Sequence, residues 1–169
     1  MSHPTYELSF KGELLQRGFW LYVWEITTTK QTQLYYVGRT GDSSSANAQS
    51  PFNRMGQHLG FNDKSNVLRR KLLHKDRNVN PDECSFRLVA HGPMLEEVDG
   101  LERHRGPRDT VAALEKALAE AMREAGYEVI NTVNSRMPLD AELFSAVRAA
   151  FSAHFPKLQS GNAASETAR

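Results

Sequence analysis

Cysteine is almost absent. Cys84 stands alone among 169 residues, so the chain cannot form an internal disulfide or assemble a cysteine-based zinc cluster. Long apolar runs are missing too: no stretch reaches the ~18 residues that a membrane span requires. The opening MSHPTYELSFKGELL has neither the basic region nor the apolar region of a secretory signal. These lacks lead us to expect a cytoplasmic protein with no membrane partner. An excess of one charge is also lacking, since 21 Lys+Arg against 20 Asp+Glu leave a net of +1.

With 40% apolar and 24% charged residues, the chain has the composition of one ordinary globular domain. Its charge is unevenly spread. Between Arg54 and Arg77 lie seven basic residues (54, 64, 69, 70, 71, 75, 77) against Asp63 and Asp76, a local net of +5. Such a patch suits phosphates, although a solvated helix face can look the same.

Residues 19–26, FWLYVWEI, and 34–38, LYYVG, are aromatic and β-branched and predict two strands. The short polar link between them makes a hairpin. Residues 40–51 are a Ser/Asn-rich loop by composition. A helix is expected over 51–59, with Phe52, Met55 and Leu59 on one face, and another over 65–75, with Ser65 or Asn66 as its cap. A third strand is expected over 84–91, then a charged surface loop over 93–108. Asp109 reads as the cap of a helix over 110–125 that Gly126 ends. Pro138 opens a last helix to about Phe155, striped by Leu143, Val147, Phe151 and Phe155. The expected fold is therefore α+β: a small three-stranded antiparallel sheet flanked by helices, with an extra C-terminal helix. The expected divisions are an extension (1–17), the main domain (18–137), an appended helix (138–158) and a disordered tail (159–169).

Four features of this order carry chemistry. The second strand contains Tyr36-Val37-Gly38-Arg39-Thr40, and an aromatic strand precedes it. Arg54 and His58 stand four apart on a helix, and Glu115 lies in ALEKAL with Asn131 sixteen residues on. The ordered set over roughly 18–134 resembles the GIY-YIG nuclease family. The resemblance implies hydrolysis of phosphodiester bonds in DNA with one Mg²⁺ or Mn²⁺ held by Glu115. It also implies site roles for Tyr22, Tyr36, Arg54, His58, Glu115 and Asn131. Arg39, Arg69, Arg70 and Lys71 are the expected substrate contacts.

The residues can also be read without the family. On a wheel of 110–125, Val111, Leu114, Leu118 and Met122 form the apolar stripe and Glu115 sits at its edge, facing the protein. A carboxylate there needs either an Arg partner or a metal. Arg54 and His58 share a flank away from Phe52, Met55 and Leu59, where a guanidinium could stabilise charge on a phosphoryl group. One position stays open. The family resembled has ten or eleven residues between its two tyrosines. Eleven intervening residues before Tyr36 put Trp24 there, which cannot act as a base, whereas Tyr22 lies two earlier on the same strand face; the reading favours Tyr22. Two other functions fit the pattern: a nucleic-acid-binding domain without catalysis, and a protein-interaction module, with a homodimer through the C-terminal helix.

Overall fold

The computed structural model describes residues 3–42 and 47–162, with side chains through Gln159. The tail expected to be disordered lies largely outside the described residues, as does part of the Ser/Asn-rich loop. The fold is α+β, with a three-stranded antiparallel sheet in the order β2-β1-β3 and four helices. The strands are β1 (Phe19–Thr27), β2 (Gln33–Arg39) and β3 (Ser85–Leu95). The helices are α1 (Pro51–Leu59), α2 (Val67–Leu73), α3 (Leu101–Glu124) and α4 (Ala141–Ser152). No helix among the described residues is long and apolar enough to cross a membrane.

β1 is the central strand, so both its faces are covered. Phe19, Leu21 and Val23 point to one side and join Tyr35, Val37, Leu114, Leu118, Phe151 and Phe155 in one core. Tyr22, Trp24 and Ile26 point to the other and pack with Leu34, Tyr36, Leu68 and Leu72. Strand alternation thus sorts β1 into an α3/α4 layer and an α1/α2 layer. The free edge of β2 is capped by a short parallel rung, with Tyr35 N donating to Glu128 O at 2.9 Å and Ile130 N donating to Tyr35 O at 2.8 Å. Covering that edge blunts a template for unwanted strand pairing.

The two strands of the hairpin and α1 fall where the sequence places them, and the Ser50 side chain caps α1 by accepting from Asn53 N. α2 is shorter than expected and begins after Asn66, whose side chain makes no cap bond. The segment 93–108 is not a surface loop. β3 continues to Leu95, and α3 starts at Leu101 and runs through Gly106 and Pro107. Asp109 therefore lies inside the helix and caps nothing; it pairs with Arg108. Gly126, at φ 82°, follows the end of α3 in the left-handed conformation that glycine adopts freely. Asp140, rather than Pro138, opens the last helix, its side chain accepting from Leu143 N at 3.0 Å. α4 stops at Ser152, and Phe155 sits in the turn beyond it. The expected apolar stripe is spent on this chain's own core: Val147, Phe151 and Phe155 are buried against α3 and the sheet.

Candidate active site

At the end of β2 the two layers of the fold come together, and five of the six expected site residues gather there. The register sets Tyr22 opposite Gly38 and Trp24 opposite Tyr36. Tyr22 therefore reaches the end of β2, while Trp24 packs edge-on against Phe86 at a 6.0 Å ring distance. Tyr22, not Trp24, is the phenol of the cluster. Its ring lies directly over Gly38: a Cβ there would fall 2.5 Å from Tyr22 Cε2 and 2.7 Å from its oxygen. Gly38 thus makes room for the tyrosine ring.

α1 delivers His58 and Arg54 to the same place, since residues four apart share a helix flank. His58 Nε2 is 2.7 Å from the Tyr22 hydroxyl, and its ring stands edge-on to Tyr36 at 5.1 Å. The Tyr22 hydroxyl also lies 3.2 Å from Arg39 O, to which it can donate. Burial, and then the charge of Arg54, lower the His58 pKa to about 3, so the imidazole is neutral at pH 7. His58 Nδ1 is buried with no partner among the described residues. If Tyr22 donated to Nε2, that Nδ1 would be a stranded N–H. If instead Nε2–H donates to Tyr22 and Tyr22 donates to Arg39 O, only a lone pair is left over. An unpaired buried acceptor is the more tolerable defect, which favours the second arrangement.

Burial raises the Tyr22 pKa, opposed by the charge of Arg54. Tyr36 is raised as well, by burial and then by the charge of Glu115. Both phenols are protonated at rest. Burial disfavours the charge on Arg54, but Tyr22 and Asp42 outweigh it and the net shift is upward. Its guanidinium donates to Asp42 Oδ2 at 2.7 Å and to Gln57 Oε1 at 3.0 Å.

Glu115 comes from α3. It faces inward as its wheel position requires, and Arg39 Nε donates to its Oε2 at 2.9 Å. Arg39 also donates to Arg108 O at 3.1 Å. Burial raises the Glu115 pKa to about 7; Arg39 pulls it down and the charge of Asp42 pushes it up. Arg39, expected to touch substrate, is therefore engaged by Glu115, and the Arg partner anticipated for a carboxylate at the core margin is present. Glu115 is an oxygen donor with a second carboxylate, Asp42, close enough to perturb it, which suits a hard cation. Among the described residues no three His, Cys, Asp or Glu side chains form a metal cluster. A cation here would accordingly keep most of its waters, and Arg39 would have to share or release Glu115.

Asn131 makes no hydrogen bond to these side chains among the described residues and holds their strand instead. Its side-chain amide accepts from Val37 N at 3.0 Å and donates to Val37 O at 2.7 Å. It thereby mimics one more strand residue and fixes β2 between Tyr36 and Gly38. Arg69, Arg70 and Lys71 lie apart, on α2, and Arg69 is tied to Asp82 at 3.0 Å and stacked on Phe61.

Two contributors were not expected from the sequence. Asp42 orients Arg54. The fully buried His104 of α3 is 3.2 Å from Gly41 O through Nε2 and pins the turn that carries Asp42. His104 was hidden by the composition around it, LERHRGPR, which reads as loop.

No family model, curated protein or solved structure matches this chain.

Proposed function

We propose that this chain is a metal-assisted phosphodiester hydrolase acting on DNA, with a single-cation site of the GIY-YIG type. The observation that carries the reading is the convergence of Tyr22, Tyr36, Arg54, His58 and Glu115 from four different elements on the end of β2. Ionisable groups are costly inside a fold, and clusters with mutually perturbed pKa values mark functional sites more often than structural ones.

A divalent cation held by Glu115 would supply Lewis-acid stabilisation of charge on the phosphoryl oxygens. Arg54 adds a guanidinium at the same cluster, where exchanging Asp42 for a phosphate would let it stabilise the same charge. In this reading Tyr22 acts as the base: its own phenolic proton first leaves to solvent, and the phenolate then takes a proton from the attacking water. Burial opposes that phenolate form, while the positive charge of Arg54 and the Nε2–H of His58 favour it. The test is nicking of a supercoiled plasmid with Mg²⁺ or Mn²⁺ by the wild type and by Glu115→Ala. The reading requires metal-dependent nicking by the first and none by the second.

One observation favours a second reading, DNA binding without cleavage: Arg39 already occupies Glu115 at 2.9 Å. Absence of nicking by the wild type with either metal, together with retained DNA binding, would select it.

A further inference from the structure

The candidate carboxylate sits midway along a helix whose other half is arginine-rich. From Leu101 to Arg108, α3 carries Arg103, Arg105 and Arg108 against Glu102. At 100° per residue, Arg108 lies within roughly 20° of Glu115 and Arg105 within roughly 80°, on the same flank, whereas Arg103 is turned to the other side. At 1.5 Å per residue, the two fall roughly 10 and 15 Å from Glu115 along the axis. Arg105 is exposed and Arg108 half-buried. Arg108 is also built into the site, since its carbonyl accepts from Arg39, the residue paired with Glu115. The basic patch on α2 compares poorly. α2 packs against α1 and the 3-10 turn Pro81–Glu83 rather than against α3, the helix that carries Glu115.

We infer that Arg105 and Arg108 form a phosphate track that holds the DNA strand flanking the scissile phosphate, so that DNA enters along the N-terminal half of α3 rather than over α2. This rests on the proposed action at Glu115 for its direction but not for its test, which needs no cleavage. One strand of a duplex carries a phosphate about every 3.4 Å of its axis, so two guanidiniums offset by about 4.5 Å along α3 can grip neighbouring phosphates. Asp109, which pairs with Arg108 at 2.8 Å, would keep that side chain oriented until a phosphate replaces it.

The experiment titrates a short fluorescent DNA duplex with the full chain in EDTA, over a range of salt, for three proteins. Arg105→Ala/Arg108→Ala should lose roughly tenfold or more in affinity, and its salt slope should fall by about two, one for each phosphate contact. Arg70→Ala/Lys71→Ala should stay within about twofold of wild type. Thermal melting controls for folding, because the changed side chains are largely on the surface. Equal affinity for the wild type and the α3 variant would overturn the track, as would a larger loss from the α2 variant or no DNA binding by wild type. Binding that depends on Arg105 and Arg108 in a protein that never nicks would leave the track standing and remove only the hydrolase reading.

Discussion

Tyr22 and His58, 36 residues apart in sequence, meet at 2.7 Å between the phenol oxygen and Nε2. The contact joins the central strand to α1 and lies beneath the end of β2. Since the imidazole is neutral at pH 7, its N–H can face the phenol oxygen and favour the deprotonated form. If Tyr22 is the base, Tyr22→Phe should slow nicking by about 10²–10⁴-fold, the range of general-base contributions. Stability should fall by about 1–3 kcal/mol, because both hydrogen bonds of the phenol are lost. Trp24→Phe, altering the neighbour that packs on Phe86, should leave nicking within a few-fold of wild type. Wild-type nicking by Tyr22→Phe would remove the tyrosine from the chemistry.

Two glycines give opposite expectations. At Gly38 a new Cβ would collide with the Tyr22 ring at 2.5 Å. Gly38→Ala should therefore cost about 1–3 kcal/mol through overpacking and displace the phenol from His58. At Gly56, inside α1, a Cβ meets nothing within 4 Å. Gly56→Ala should stabilise by about 0.5–1 kcal/mol through helix propensity. Urea midpoints of the two variants should move in opposite directions, and a shift in the same direction would show that the Tyr22 ring has room to yield.

These contacts mark how far the sequence could be read. The hairpin and α1 were legible because alternation and a 3.6-residue period act locally, and Tyr22 could be preferred because it shares a strand face with Trp24. What decided between the two was the register, which places Gly38 under Tyr22 and depends on β1 pairing with β2. The start of α3 was not legible. Its first turns bury one side chain, His104, so they show no apolar stripe, and Gly106-Pro107 imitates a break. The pairing of Glu115 with Arg39 was legible only as one of two fates for an inward carboxylate. The sequence could name the need for a partner but not supply its identity, which comes from the far end of β2.

Phe151 is fully buried and stacks on Phe155 at 6.3 Å, in the same core as Leu114 and Val89. Phe151→Ala should cost about 3–5 kcal/mol, as for other large-to-small core changes. Leu143→Ala, at a half-buried position on the same helix, should cost less. Chemical denaturation of both variants checks the order. A cost under about 1 kcal/mol for Phe151→Ala would mean that α4 is an appendage rather than part of the core.

Glu115 and Arg39 yield the prediction with the clearest signature, because pH separates their effects. The folded pKa of Glu115, about 7, lies above its usual 4.5. The proton on this carboxyl therefore contributes stability that is fully present below 4.5 and is lost as pH rises through 7. In Glu115→Gln that loss is absent, so the stability of wild type relative to this variant should decline between about pH 5 and 7 and then level off. A metal ion needs the ionised form, so Mn²⁺ should raise the melting temperature of wild type at about pH 8 but hardly at about pH 5.5. Arg39→Gln should act in two ways. It removes the guanidinium that lowers the Glu115 pKa, leaving more of the carboxyl protonated near neutrality. It also removes the competitor for Oε2, 2.9 Å away, leaving the carboxylate free for a cation once ionised. The cation displaces the same ion pair that lowers the pKa, so Mn²⁺ affinity by calorimetry should be tighter than wild type at about pH 8.5. The two curves should converge toward about pH 5.5, as the proton takes over as competitor. Glu115→Ala should bind no Mn²⁺ at either pH. Identical curves for wild type and Arg39→Gln, or binding that survives in Glu115→Ala, would show that Glu115 is held by Arg39 for structure alone.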